Sequence, residues 1–108
     1  MLMDKFPDDF NREYCIEQLT ENQKVLIKEA RYELYNKIKE SISNSKRYIS
    51  YIFPDNLWQE HRIQLTKEIL IRFKEVSTMK DSTGIKVTRT ILDPTDIPKD
   101  IQGFKIQF

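Results

Sequence analysis

The stretch that decides the fold is KRYISYIF, residues 46–53. Its tyrosine, isoleucine and phenylalanine residues are types that favour a strand. Ile42, Ile49 and Ile52, however, fall on one face of a helix, because they continue an apolar spacing of three or four residues. That spacing favours a helix with a break near Asn44. A strand at 46–53 stays open as the alternative, and it would add a third member to a sheet.

Upstream of this stretch, apolar residues recur at helical spacing. Pro7 and the acidic residues after it predict a short helix over residues 6–19, because proline and carboxylates suit the first turn of a helix. Thr20 and Gln23 have the spacing of a capping box, in which each side chain satisfies a free backbone donor. A long helix is therefore predicted to begin at Glu21.

A second long helix is predicted between Asn56 and Met79. Phe53-Pro54 ends the preceding segment, because the residue before a proline is pushed out of the helical region. Asn56 with Gln59 then repeats the spacing of a capping box. Since only a tight turn would separate the two long helices, we expect them to lie antiparallel as a helical hairpin.

The hydrophobic period changes near Gly84. Residues 85–91 and 104–108 alternate apolar and polar side chains, which is typical of strands with one buried face. The segment between them contains Pro94 and Pro98 and is too short for the helical crossover that a parallel pair needs. The two strands are therefore predicted to form a C-terminal antiparallel β-hairpin, with the last strand at an edge of the sheet.

Together these elements predict a single α+β domain over residues 1–108: a short N-terminal helix, two long antiparallel helices and a β-hairpin. The hydrophobic content of 39% excludes intrinsic disorder, because a disordered chain would lack this much apolar surface. No apolar run approaches the ~20 residues of a membrane span. The single cysteine, Cys15, has no internal disulfide partner. A reducing, cytoplasmic location is the expectation.

The net charge of +1 conceals a gradient along the chain. Residues 1–23 hold two basic and six acidic side chains, a net charge of −4. Residues 24–80 hold twelve basic and seven acidic side chains, a net charge of +5. The two segments could neutralise each other within one fold, or the second could offer a basic face to an anionic partner. We favour the first interpretation.

The sequence predicts no catalytic residue, no cofactor and no metal site. Its only glycines, Gly84 and Gly103, cannot form a glycine-rich phosphate loop. His61 has no nucleophile tied to it by a motif, and Cys15 is expected to be a small buried hydrophobe. Turn and cap chemistry explains the acidic residues at 93–100 as well as metal binding would.

A basic and aromatic surface is the candidate for binding nucleic acid. Lysine and arginine neutralise phosphates, and aromatic rings stack on unpaired bases. Acidic residues such as Glu60 and Glu68 are interleaved, and the pI of about 7.8 is low for a nucleic-acid-binding domain, so an ordinary solvated face is the competing interpretation. The candidate residues are Lys46, Arg47, Tyr48, Tyr51, Arg62, Lys67, Arg72 and Lys74.

A second candidate surface is an interface for another protein. Aromatic residues are enriched at interfaces, although they also fill small cores. The candidate residues are Tyr32, Tyr35, Trp58, Phe104, Ile106 and Phe108. The function predicted on this basis is that of a small non-enzymatic regulator or inhibitor, of the kind a phage or mobile element encodes. It would bind a protein partner, with homodimerisation through the edge strand or the long helices. A nucleic-acid-binding regulator is the alternative.

Overall fold

The computed structural model describes residues 2–79 and 89–108 of the chain. The α-helices are α1 (Arg12–Ser43) and α2 (Gln59–Arg72). The strands are β1 (Tyr48–Ile52), β2 (Glu75–Met79), β3 (Arg89–Ile91) and β4 (Gly103–Gln107), with a short 3-10 helix at Pro94–Asp96. The predicted α+β class is confirmed, whereas several elements and their arrangement differ from the prediction.

The predicted short helix and first long helix are one continuous helix, α1. It begins after Asn11, whose side-chain oxygen accepts a hydrogen bond from the backbone N–H of Tyr14 at 3.0 Å. Thr20 does not cap a new helix, because its hydroxyl donates to the carbonyl of Ile16 at 2.8 Å. The Gln23 side chain bonds the start of α2 instead. The predicted boundary at residue 20 was therefore wrong.

The stretch at 46–53 forms strand β1, so the helix favoured by its spacing was wrong and the strand alternative is confirmed. Ser45 takes a positive φ of 57°, a left-handed conformation that ends α1 and redirects the chain. In β1, Ile49 and Tyr51 are buried while their neighbours are exposed. This alternation is that of a strand with one face on the core.

The second helix is shorter than predicted. It ends at Arg72, because Phe73 adopts an extended conformation with φ −129° and ψ 139°. Residues 75–79, predicted to complete the helix, form strand β2. Val76 and Thr78 are β-branched and alternate with more exposed residues, so their burial in the sheet outweighs the helical spacing of the apolar positions.

The two helices run parallel, not antiparallel as predicted. Near the start of α2, the Gln23 amide contacts the backbone of Asn56 and Trp58. Further along both helices, Arg31 pairs with Glu68. The contacts advance in the same direction along the two helices because β1 carries the chain back between them.

The four strands form one antiparallel sheet in the order β1-β4-β2-β3. The predicted C-terminal hairpin is wrong, since β3 pairs with β2 and β4 pairs with both β1 and β2. The last strand therefore lies in the interior of the sheet and offers no edge. Gly84 and the residues around it, where the change of period was predicted, lie outside the described residues.

One hydrophobic core fills the space between the sheet and the two helices. On the inner face of the sheet, Ile106 of β4 lies between Ile49 and Val76, and Val76 in turn faces Ile91. These side chains form one buried cluster with apolar residues of both helices. The helical members are Ile27, Ala30, Leu34, Leu65 and Ile69. Both helices thus pack on one face of the sheet.

Candidate interaction surfaces

An apolar groove runs between the C-terminal parts of α1 and α2. We call it the α1–α2 groove; its volume is about 540 Å³. Its floor includes Leu34 and Leu65, which are buried, while Tyr35 and Ile42 on its α1 wall are 55% and 61% exposed. The apolar lining residues are Leu34, Tyr35, Ile38, Ile42, Leu65, Ile69 and Phe73. Large apolar side chains left open to water in one concave place are typical of a binding groove.

The charged residues at the groove are mostly basic. The Arg31 guanidinium donates two hydrogen bonds of 2.9 Å to the Glu68 carboxylate, and these bonds raise the pKa of Arg31. Lys39 and Arg72 form no ion pair with any described residue, and the Lys39 Nζ lies 5.2 Å from the centre of the Tyr35 ring. The rim of the α1–α2 groove therefore carries a net positive charge.

A second exposed apolar region precedes the packed part of α1. We call residues 2–22 the N-terminal arm; it carries the net charge of −4 found in the sequence. The ring of Phe10 stacks on that of Phe6, with centroids 5.3 Å apart, and it meets the tilted ring of Tyr14 at 5.9 Å. Ile16 and Leu19 continue the helix face that Gln23 and Ile27 bury further along, yet both are exposed. The arm is thus an acidic segment, helical from Arg12 onwards, with exposed apolar side chains.

Cys15 also lies on the N-terminal arm, where its side chain is exposed. The expectation that it is a small buried hydrophobe was wrong, because the arm makes no part of the core. His61 is half-buried and stacks on Trp58, with ring centroids 6.0 Å apart.

Only part of the predicted nucleic-acid surface comes together. Lys46 and Arg47 precede β1 and Lys74 precedes β2, and the strand register brings these positions to one end of the sheet. Tyr48 is exposed there on the outer face, and the Lys105 Nζ lies 4.7 Å from the centre of its ring. Lys67 is exposed on α2, and Arg72 lines the α1–α2 groove.

Two residues of that predicted surface are buried. Arg62 donates to the carbonyls of Leu57, Pro54 and Asp55 at 2.8–3.0 Å. It therefore satisfies backbone acceptors in the loop before α2 and is not available to a phosphate. Tyr51 lies in the core at 1% exposure, so its predicted place on this surface is wrong.

The Tyr51 hydroxyl is enclosed without a hydrogen-bond partner among the described residues. Burial raises the pKa of Tyr51 to about 12, and the negative charge of Glu33 adds a smaller contribution in the same direction. The Lys37 Nζ lies 5.9 Å from the centre of the Tyr51 ring. The packed part of α1 thus places two charged side chains near this residue.

The predicted protein interface is divided in the same way. Tyr32 and Tyr35 are exposed on α1, and Trp58 is partly exposed at the start of α2. Phe104 and Ile106 are fully buried in the central strand β4, so they cannot meet a partner at the surface as proposed. Phe108 follows β4 and packs against Phe73, with ring centroids 5.9 Å apart.

The acidic residues before β4 cap a turn. The Asp93 carboxylate accepts from the N–H of Thr95 at 2.8 Å, and its hydrogen bonds with Thr95 lower the pKa of Asp93. The Asp96 carboxylate accepts from the N–H groups of Leu92 and Asp93 at 3.1 and 3.3 Å. Within residues 2–79 and 89–108, no group of three or more metal-ligating side chains is close enough to hold a metal ion.

The sequence alone did not identify the α1–α2 groove or the N-terminal arm. The apolar spacing that includes Ile42 predicts a buried helix face, but it does not show which part of that face other elements cover. Comparisons with protein families, characterised proteins and solved structures found no match. In the described ranges, neither helix has the length and apolar character needed to cross a membrane. The candidate function therefore depends on the surfaces of this chain.

Proposed function

We propose that this chain is a non-enzymatic interaction protein, a regulator or inhibitor that binds another protein through the α1–α2 groove. The observation that carries this proposal is the groove itself, an apolar concavity of about 540 Å³ with a basic rim. Burying apolar side chains such as Tyr35 and Ile42 would supply the hydrophobic gain of association. Lys39 and Arg72 would favour an acidic partner.

The shape and chemistry of the groove fit one mode of recognition. Two parallel helices with a trough between them accept the apolar face of a third helix, which inserts side chains at a spacing of three or four residues. Acidic residues beside that apolar face would meet the basic rim. The proposal includes a reducing, cytosolic location, which agrees with a single exposed thiol at Cys15.

Site-specific photocrosslinking in the native host tests the proposal. A photoreactive phenylalanine analogue is placed at Tyr35 in the groove or at Tyr48 on the outer sheet face. We expect protein adducts from the Tyr35 position, and we expect Ile42→Glu to remove them because a charge would enter the apolar contact. Absence of protein adducts at Tyr35, with the chain folded by circular dichroism, would refute the proposal.

Nucleic-acid binding is the second candidate function. The cluster of Lys46, Arg47, Tyr48, Lys74 and Lys105 at one end of the sheet supports it, since it combines cations with an exposed ring. In this case, single-stranded oligonucleotides should bind at low salt and dissociate steeply as salt rises. The double variant Lys46→Glu, Arg47→Glu should abolish that binding. Nucleic-acid adducts at Tyr48 would favour this function, and absence of binding at low salt would eliminate it.

A further inference from the structure

We infer that the occupant of the α1–α2 groove is the N-terminal arm of a second copy of this chain, exchanged reciprocally in a homodimer. This inference rests on the proposed function, because it names the partner of the same groove. Its basis is that the chain displays both the apolar groove with a basic rim and an exposed apolar helix with acidic flanks.

The two surfaces are complementary in chemistry. The N-terminal arm presents aromatic and aliphatic side chains such as Phe10, Ile16 and Leu19, all exposed. The groove presents apolar side chains of its own, so docking would remove apolar surface from water on both sides. The acidic residues of the arm are Asp4, Asp8, Asp9, Glu13, Glu17 and Glu21. These would approach Lys39 and Arg72, which form no ion pair among the described residues.

The arm cannot fill the groove of its own molecule. Residues 12–22 of the arm and residues 31–42 of the groove wall belong to one helix, α1. That helix contains neither proline nor glycine, the usual causes of a sharp kink, so it does not fold back on itself. The arm that occupies a groove must therefore come from another molecule.

The lengths of the two partners agree. At a rise of about 1.5 Å per residue, residues 12–22 span about 16 Å and the α1 wall at residues 31–42 spans about 18 Å. Reciprocal exchange forms the same contact twice around a two-fold axis. This doubling is how small patches can reach the roughly 1,200–2,000 Å² buried in a stable interface.

Charge reversal combined with mixing tests the inference. One variant carries Glu13→Lys and Glu17→Lys on the arm, and the other carries Lys39→Glu and Arg72→Glu at the groove. Each variant alone would place like charges in contact, so its dimer dissociation constant in sedimentation equilibrium should rise by on the order of tenfold or more. When the two are mixed, each arm meets a groove of opposite charge. The mixture should therefore form heterodimers with wild-type affinity.

The double variant Glu29→Lys, Lys67→Glu is the matched control. Both positions are exposed, and neither belongs to the arm or lines the groove. It reverses one acidic and one basic side chain outside the proposed contact, and it should dimerise like wild type. Circular dichroism of all variants separates lost association from lost folding.

Three results would overturn the inference: a wild-type chain that stays monomeric at high micromolar concentration, a dimer that neither reversal weakens, or a mixture that does not recover. The photocrosslinking experiment separates these failures from failure of the proposed function. If the chain is monomeric and the Tyr35 position captures a different protein, the groove is a protein-binding site and only the homodimer is wrong. If the Tyr35 position captures no protein, the proposed function fails as well.

Discussion

Leu34 and Leu19 lie on the same helix, but their surroundings are opposite. Leu34, in the half of α1 that packs on the sheet and α2, is 2% exposed, whereas Leu19, in the N-terminal arm, is 49% exposed. Both belong to helical apolar stripes, and no proline or glycine separates them. The difference between the halves is therefore one of tertiary cover and not of local conformation.

The arm shows how a helix can continue beyond the buried core. Starting a helix is costly, but adding residues to an existing helix requires only one further residue to be fixed for each new hydrogen bond. The packed half supplies that nucleus, and the side chain of Asn11 caps the far end. The arm can therefore be helical without a core of its own, which leaves its apolar face available to a partner.

The largest expected difference between the halves is in the cost of removing a leucine. Leu34→Ala should lower the free energy of unfolding by about 2–5 kcal/mol, because it leaves a cavity in the core. Leu19→Ala should change it by less than about 0.5 kcal/mol in the monomer. Urea unfolding at low protein concentration measures both. Equal costs would show that the arm is packed, and a cost at Leu19 that grows with protein concentration would indicate docking between copies.

Gln23 marks the start of the packed half and gives the next largest effect. Its amide donates to the carbonyl of Asn56 at 2.8 Å and accepts from the N–H of Trp58 at 2.9 Å. Gln23→Ala leaves both backbone groups without this partner in a partly buried place, and it should cost about 1–3 kcal/mol. Gln18→Ala, on the exposed arm, is the control and should cost almost nothing. If Gln23→Ala also costs almost nothing, the packed half of α1 must begin after Gln23.

The pH dependence of stability tests whether the Tyr51 hydroxyl is buried under the packed half of α1. Its folded-state pKa of about 12 lies above the ordinary value of 10.0, so the unfolded chain loses this proton first as the pH rises. The stability contributed by the protonated hydroxyl is complete below pH 10 and is lost between about pH 10 and pH 12. Tyr51→Phe should therefore lose about 1 kcal/mol less than wild type per pH unit in that window. Chemical denaturation at each pH measures the free energy of unfolding of both proteins. An equal loss of stability in the two would contradict burial of the hydroxyl.

Much of the local structure could be predicted from sequence, but the positions of element ends could not. The capping pattern at Thr20 and Gln23 is a spacing of residue types, and both side chains make other hydrogen bonds in the fold. The apolar spacing from Phe73 to Met79 fits a helix. Residues 75–79 are nevertheless a strand, because β4 offers them a backbone partner that is distant in the sequence.

Partner choice in the sheet was harder still to predict. The alternation at residues 104–108 correctly indicated a strand, but period two shows only that one face is buried. It does not show whether a strand is central or at an edge, so Phe104 and Ile106 were assigned to an exposed interface. The α1–α2 groove was hard to predict for the same reason. It forms where the apolar faces of α1 and α2 do not cover each other, and this depends on the relative placement of the two helices.

The smallest expected difference in stability is between the loss of two ion pairs. Arg31 in the packed half joins Glu68 of α2, whereas Lys24 pairs with Glu21 at 3.1 Å within α1. Glu68→Gln should cost about 0.5–1 kcal/mol, because it breaks a two-bond contact between elements, although solvent screens the pair. Glu21→Gln should cost only about 0.2–0.5 kcal/mol. Thermal unfolding at low and high salt measures both, and both costs should shrink as salt rises. A larger cost at Glu21 than at Glu68 would mean that the arm boundary, and not the contact between the helices, carries the stronger electrostatic contribution.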